Sequence, residues 1–422
     1  MKARYTQLDD WLRWLETLHP RKIDLGLERV AEVARRLDLL PATSTVITVA
    51  GTNGKGSSVA LLEAILQADG SKTGCYTSPH IHYFNERIHI DGQEVDDTRI
   101  VRAFAAIDSV LGETTLSYFE FGTLAALWLF KEAAVDVTVL EVGLGGRLDA
   151  VNIVDADVAL LTSIGLDHTD WLGESLDGIA LEKAAIARPG HPLVCGEPGP
   201  PALMLETSRN RGVVCKLAGE DFGFQVHKQD WEWWGGGRHE RHLPFPALLG
   251  NHQIQNAAAV LEVLSLLPAQ QLPGRRAIDE GLQSVKLAGR HERFDVGFEV
   301  VLDVSHNPHG MKKLVATLQE RPVQGRTVVL FGVMADKDVE GLIKLLQPLA
   351  DAWIAVAPAV GRALAASDLH QLLLQKSNDI EVFEWPSVAQ GLAFARSVLT
   401  SIDRLVVTGS FYTVAEVREL LI

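Results

Sequence analysis

Cysteine is scarce in this chain. Its 422 residues include three, Cys75, Cys195 and Cys215, too few for a complete disulfide set and without metal-ligand spacing, so a reducing compartment is expected. No apolar run approaches the roughly 18 to 20 residues that a membrane span needs. The opening MKARYTQLDD has no signal-peptide apolar stretch, and the expectation is a cytoplasmic protein. Surplus positive charge is also missing: 39 Lys and Arg against 54 Asp and Glu give a net charge of -15. That balance argues against a protein whose work is gripping nucleic acid or an anionic membrane, so any anionic ligand must be held by local groups. Internal repeats, low-complexity tracts and the Asn-Lys-x-Asp motif of guanine recognition are absent too.

What is present is an ordinary globular composition, 47% hydrophobic and 22% charged, in a chain long enough for two or three domains. Short β-rich apolar runs alternate with longer helical patterns, the signature of an α/β protein with a mainly parallel, covered sheet. STVITVAG, AVDVTVLEVG and DADVALLTSIG read as buried strands, each ending at a glycine-marked turn. SSVALLEAILQADG and EFGTLAALWLFKEAA read as crossover helices, and DDWLRWLETLHP as an amphipathic helix stopped by Pro20. The aromatic, turn-rich stretch 221–246 reads as a hairpin insertion or rim element. The β/α rhythm restarts with FEVVLDVSHNP, GRTVVLFGVM, DAWIAVAP and RLVVTGSFYT, so the domains are expected at 1–287 and 288–422.

Ligands of such sheets gather at the carboxyl ends of the strands, where the polar clusters of this sequence lie. TVAGTNGKGSS, residues 48–58, places Gly51, Gly54 and Gly56 between a strand and a helix, so that backbone N–H groups can converge on phosphate oxygens while Lys55 reaches the outer phosphates. The loop departs from G-x-x-x-x-G-K-[ST]: Val49 stands at the first glycine, Gly56 follows the lysine, and the serine comes one place late. Glu141 closes the strand VTVLEVG, a costly place for a carboxylate unless a charged partner is near, and it is a candidate metal ligand with a turn carboxylate as the alternative. Read alone, His168 in GLDHTDWLG is more often a loop histidine than a ligand; the neighbouring clusters make it a candidate.

With these residues in view, the chain resembles the bacterial bifunctional dihydrofolate synthase/folylpolyglutamate synthase family of the Mur ligase superfamily. The resemblance is carried by KIDLGLERV at 22–30, AGTNGKGSS at 50–58, YTSPHIHYFNERIHIDG at 76–92 and SYFEFGTLAALWLF at 117–130. It continues through LEVGLGGRLDAVNIV at 140–154, SIGLDHTDWLG at 163–173, EKAAIARPG at 182–190 and LDVSHNPHG at 302–310. The family implies an N-terminal P-loop ATPase and pterin-binding domain and a smaller Rossmann-like C-terminal domain contributing to ATP and glutamate binding. The implied reaction is ligation of L-glutamate to dihydropteroate and to reduced folates: the acceptor carboxylate takes the γ-phosphoryl group of ATP, and the glutamate amine displaces phosphate from the acyl phosphate. ATP as co-substrate, two magnesium ions and a monomer are implied as well.

By position, the resemblance makes Thr52, Asn53, Gly54 and Lys55 the ATP phosphate loop, with Asn256, Arg290 and Asp303 as further ATP contacts. It makes Ser78, Glu141, His168 and Lys183 metal ligands, Lys183 as a carbamate, and gives Lys55, His168 and Lys183 catalytic roles. The pteroate pocket is implied at Asp24, Leu25 and Gly26, at Ser117, Tyr118, Phe119 and Glu120, and at Leu148, Asp149 and Ala150. Read from the residues alone, Ser78 is a turn serine before Pro79, Lys183 a surface lysine, and Tyr118 with Phe119 a core pair at a helix start. His306 serves equally well beside the transferred phosphoryl group or as a helix cap.

Two other readings are weighed against this one. A Mur-type peptidoglycan ligase shares the chemistry but needs a separate domain for its UDP-sugar substrate, whereas the loop here follows only 47 residues in, after IDLGLERV. A P-loop GTPase or nucleotide kinase, or less specifically an NTPase, predicts an Asn-Lys-x-Asp guanine motif or a mobile lid, and no such guanine motif is present; a catalytically silent binding module would not be expected to keep Lys55, Glu141, His168 and Lys183 together.

Overall fold

The computed structural model describes residues 3–21, 24–377 and 380–422. The chain divides into two compact units, Met1–Ala247 with Gln253–Val285, and Leu248–His252 with Lys286–Ile422.

The larger unit is built on eight strands, in chain order β1 (Thr45–Ala50), β2 (Thr73–Tyr76), β3 (Ile88–Ile90), β4 (Gln93–Glu94), β5 (Val137–Glu141), β6 (Val158–Leu161), β7 (Pro192–Cys195) and β8 (Val214–Leu217). Their order across the sheet is β4-β3-β2-β5-β1-β6-β7-β8. From β2 to β8 all pairings are parallel, and only the β2–β3 and β3–β4 pairs are antiparallel. Strand β1 therefore lies mid-sheet between β5 and β6, and its chain leaves the sheet where ligands collect in such folds. Strands β1, β5 and β6 are rich in apolar and β-branched residues, as expected where both faces of a strand are covered.

Helices Lys55–Ala68 and Arg275–Ser284 pack closely because Gly281 has no side chain: a Cβ there would lie 2.6 Å from the Ile65 Cα. A chain of edge-to-face aromatic contacts, Trp11–Phe104, Phe104–Phe84 and Phe84–Tyr118, links the amphipathic helix Leu8–Leu18 to the start of helix Tyr118–Ala133. The core thereby sets the position of Tyr118.

Residues 223–243 form a three-stranded antiparallel sheet, β9 (Gly223–Val226), β10 (Trp231–Gly235) and β11 (Arg238–Leu243), rather than a single hairpin. In β10 the period-2 alternation buries Trp231 and Trp233 and turns Trp234 outward. Beneath β10, helix Asn251–Ser265 carries Glu262, which is 0% exposed. Neither of its carboxylate oxygens accepts a hydrogen bond from a described residue. Gly235 makes the space for it, since a Cβ there would meet the Glu262 Oε2 at 2.2 Å. Burial pushes the Glu262 carboxyl up to about 7, with the Lys216 charge acting in the opposite direction and Asp221 in the same one.

The smaller unit has strands β12 (Glu292–Asp295), β13 (Glu299–Leu302), β14 (Thr327–Phe331), β15 (Ala352–Ala355), β16 (Glu381–Glu384) and β17 (Arg404–Thr408), in the order β12-β13-β17-β14-β15-β16. All pairs are parallel except the β12–β13 hairpin. Alternate residues of one strand enter different cores, Val328 and Leu330 on one side, Val329 and Phe331 on the other, so both faces are covered. Among the described residues no helix is long and apolar enough to cross a membrane.

A protonated Glu262 is favoured in the fold, so its contribution to stability is greatest below the ordinary carboxylate range, falls as pH rises toward about 7 and is level beyond it. Glu262→Gln keeps the shape and removes the titration. Thermal denaturation is expected to show the two proteins similar near pH 4 and the variant more stable by on the order of 2 kcal/mol above pH 7; a gap that does not change with pH would contradict this.

Candidate active site

Strand β1 delivers the chain to Gly51, and helix Lys55–Ala68 begins four residues later with no side chain capping its first turn. Uncapped N–H groups and the positive end of the helix dipole make this an anion-binding geometry. The bare backbone is required on both sides: a Cβ on Gly51 would stand 1.9 Å from the Thr162 Oγ1, and one on Gly54 (φ +92°) would stand 2.8 Å from the Asn256 Oδ1. Residues following β6 hold the loop open. The Thr52 N–H donates to the Ser163 carbonyl (2.9 Å), the Asn53 N–H to the Ser163 Oγ (3.0 Å), and the Thr162 hydroxyl to the Asn53 carbonyl (2.8 Å). The Thr52 hydroxyl donates to the Gly165 carbonyl at 3.0 Å. On the helix side, the Asn256 amide donates to the Gln253 Oε1 at 3.0 Å, and Gln253 donates to the Ser57 Oγ at 3.3 Å.

Two amines converge at the base of this loop. The Lys55 Nζ donates to the Gly51 carbonyl at 3.0 Å, and the buried Lys183 Nζ donates to the same oxygen at 3.4 Å. Burial first, and then the Lys55 charge, bring the Lys183 amine down to about 7. Gly146 allows the loop after β5 to press against this helix: a Cβ there would lie 2.7 Å from the Glu182 carbonyl and 3.0 Å from the Lys183 Cα. Asp149 shapes that loop, accepting from the Leu144 N–H (2.8 Å) and the Val151 N–H (3.1 Å). Burial pushes its carboxyl up to about 7 against the pull of those N–H donors.

Glu141, 5% exposed, ends β5 opposite Val49 of β1, and its Oε2 accepts from the Ser78 N–H at 3.2 Å. Magnesium takes one or two protein carboxylates and completes its octahedron with water and phosphate oxygens, so a buried carboxylate and a hydroxyl-bearing residue beside the phosphate loop fit it. Among the described residues no group of three His, Cys, Asp or Glu forms a cage by itself. His168 lies on an exposed loop at φ 52°, where its N–H donates to the Asp167 Oδ1 at 2.9 Å.

The residues of the implied pteroate pocket are tied together by one that sequence reasoning missed. Arg29 reaches the Asp24 Oδ2 with Nη1 (2.7 Å) and the Glu120 Oε1 with Nη2 (3.0 Å). His19 adds a contact to Asp24 at 3.0 Å. Ser117 and Glu120 form a capping box, in which Glu120 accepts from the Ser117 N–H (2.7 Å) and donates its own N–H to the Ser117 Oγ (3.3 Å). Leu25, Gly26 and Leu148 are half-buried and Ala150 is buried; Lys22 and Ile23, which open KIDLGLERV, lie outside the described residues. Tyr118 and Phe119 are half-buried rather than core, and Phe119 packs on Tyr76 and over Gly143. Next to them, the Arg87 Nε donates to the His80 Nδ1 at 2.8 Å, and burial with the Arg87 charge brings the His80 ring down to about 4.

In the smaller unit, Asp303 follows β13 and accepts from the His291 N–H (3.0 Å) and the Ser305 N–H (2.9 Å). The Arg290 guanidinium lies 5.2 Å from the Phe411 ring centre, and the His306 ring is 5.8 Å from the same ring. His306 is not the helix cap: that role belongs to Asn307, whose Oδ1 accepts from the Gly310 N–H at 2.8 Å, while His306 Nδ1 lies 2.9 Å from the Val304 carbonyl. Thr162, Ser163, Arg29 and Arg87 were not singled out because hydroxyl and guanidinium side chains after a strand or in a loop have no spacing signal; their roles depend on tertiary contacts.

Two family models match the chain, the Mur ligase middle domain over residues 49–194 and the Mur ligase glutamate ligase domain over residues 289–411. The chain is 41% identical to the dihydrofolate synthase/folylpolyglutamate synthase of Escherichia coli (strain K12), with 98% of this chain and 95% of that protein covered. Its fold is similar to that of E. coli FolC in complex with DHPP and ADP (TM-score 0.93, 40% identity, 100% of this chain and 99% of the other). It is likewise similar to a bifunctional folylpolyglutamate synthase/dihydrofolate synthase with Mn, AMPPNP and L-glutamate bound (TM-score 0.90, 41% identity, 100% and 99% covered).

Gly54→Ala forces an L-residue into the left-handed region, at about 1 to 2 kcal/mol, and drives its methyl group into Asn256. Calorimetric titration with ADP is expected to show affinity reduced at least tenfold in a protein that still folds; unchanged affinity would contradict the assignment of the loop.

Proposed function

The chain belongs to the dihydrofolate synthase/folylpolyglutamate synthase family of Mur ligases, and from that premise we propose how its residues divide the work of glutamate addition. It is an ATP-dependent ligase that forms a carbon–nitrogen bond between L-glutamate and folates, with a divalent metal ion. Dihydropteroate and reduced folates are the acceptors. An acceptor carboxylate oxygen attacks the γ-phosphorus of ATP, the bond to the bridging oxygen breaks, and ADP leaves. The glutamate amine then attacks the acyl carbon, loses a proton and expels inorganic phosphate.

The loop Thr52, Asn53, Gly54 and Lys55 and the uncapped first turn of helix Lys55–Ala68 hold the phosphates, with the Thr52 and Asn53 N–H groups anchoring the loop on Ser163, and Lys55 neutralises charge at the transferring group. Asn256, packed on Gly54, and Arg290 and Asp303 of the smaller unit complete the ATP contacts, and that unit takes part in glutamate binding. Ser78, Glu141, His168 and Lys183 would hold two magnesium ions, which would supply positive charge to the phosphoryl oxygens. Lys183 does so as a carbamate. Its amine attacks carbon dioxide and releases a proton, and a lysine lowered to about 7 offers the neutral amine that this addition needs. The product is anionic, so the Lys55–Lys183 repulsion at the Gly51 carbonyl becomes attraction.

The observation that carries this reading is the meeting of Lys55 and buried Lys183 on one carbonyl, beside the strand that ends in Glu141. Asp24, Leu25 and Gly26, Ser117 to Glu120, and Leu148 to Ala150 take the flat pterin and its benzoyl group, with Tyr118 and Phe119 as aromatic walls. We take the enzyme to work in the cytoplasm as a monomer, in keeping with three unpaired thiols.

ADP release from magnesium-ATP is expected with dihydropteroate and with tetrahydrofolate, each strictly dependent on L-glutamate; turnover of one acceptor alone would split the assignment. Removing the metal with EDTA is expected to abolish turnover, and Glu141→Gln to lower kcat by about 100-fold or more. Full activity in EDTA would contradict the metal site.

A further inference from the structure

Arg87 is a cation that the ligation scheme leaves unused. It lies on the loop between β2 and β3, half-buried, in a cage of neutral groups. Its Nε donates to the His80 Nδ1 at 2.8 Å, and its guanidinium stands 5.6 Å from the centre of the Tyr118 ring and 5.8 Å from that of Phe84. Phe84 is buried and Tyr118 packs edge-on against it, so both rings beside the guanidinium are fixed. Among the described residues no carboxylate pairs with Arg87 and no acceptor meets its Nη atoms. Arg29, by contrast, already spans Asp24 and Glu120. A partly desolvated guanidinium without a counter-ion is costly, and its planar fork matches a carboxylate.

Its position selects the carboxylate. Tyr118 belongs to the acceptor pocket proposed above, and Ser78, on the same loop as Arg87, donates its N–H to Glu141 at the reacting end. Arg87 therefore stands on the segment that joins the Tyr118 wall to the reacting end. Dihydropteroate has no anionic group there, because its one carboxylate is the reacting one. A folate carries a second, the carboxylate of its glutamate that is not activated. We propose that Arg87 is the site for this non-reacting carboxylate, and that it sets the preference of the enzyme for glutamylated acceptors over dihydropteroate. The inference rests on the ligase reading.

The test compares kcat/KM for dihydropteroate, for tetrahydrofolate and for a tetrahydrofolate whose non-reacting carboxylate is a primary amide, with the unaltered chain, Arg87→Met and Arg87→Lys. The unaltered chain is expected to disfavour the amide by about 10- to 100-fold relative to tetrahydrofolate, as for a lost charge-assisted hydrogen-bonded pair. In Arg87→Met the ratio of tetrahydrofolate to dihydropteroate is expected to fall by a similar factor while the amide penalty disappears, so that the two changes do not add. Arg87→Lys, a charge without the fork, should fall between. Equal loss for all acceptors in Arg87→Met, or an amide penalty that persists there, would overturn the inference. Should Arg87→Met fail to fold, an unaltered chain that accepts the amide as well as tetrahydrofolate overturns it and a penalty supports it. If the unaltered chain turns over none of the acceptors, the ligase reading itself falls, and the inference with it.

Discussion

The site depends on one constraint: the backbone from Gly51 to Gly54 must be bare, and it must be held open before any phosphate arrives. Thr162 and Ser163 at the end of β6 fix one side of the loop, and Asn256 closes against Gly54 on the other. Because the loop is held by hydrogen bonds to neighbouring elements, little ordering entropy remains to be lost on binding. The Gly51 carbonyl then becomes the point at which Lys55 and Lys183 meet, and the electrostatics of the larger unit follow from that meeting.

Two like charges on one oxygen, one of them buried, form an arrangement that favours loss of a charge. Asp149 and Gly146 contribute indirectly, by shaping the loop that presses on the backbone at Lys183. The same economy appears among the residues proposed for the acceptor. Arg29 and Glu120 are engaged with each other and with Asp24 and Ser117, which leaves shape and the Tyr118 and Phe119 faces to meet a ligand.

Much of the fold was legible because buried parallel strands read as short runs of apolar and β-branched residues; TVITVA, VTVLE and VALL of the larger unit and TVVLF of the smaller one are such runs. Strands β8 and β16 were not, since VCKL and EVFE are short, polar and at sheet edges. The stretch 221–246 read as a rim because its tryptophans are crowded among glycines and charges, and only the pairing of β9, β10 and β11 shows which rings turn inward. In the site, Gly51, Gly54, Lys55 and Glu141 could be read from position alone, each sitting where a strand ends. Lys183, Asn256 and the acceptor residues came only with the family resemblance, because lysine and asparagine within helices have no local signature. Arg87 and Arg29 could not be read at all: what distinguishes a guanidinium paired with carboxylates from one that is not is the set of neighbours that folding brings.

The most direct measurement is carbon-13 NMR of the protein in labelled bicarbonate with magnesium-ATP, in the unaltered chain and in Lys183→Arg. The charge balance at Gly51 predicts a single protein-bound carbamate resonance in the first and none in the second. An unaltered chain that turns over its substrates at full rate without such a resonance would contradict the account.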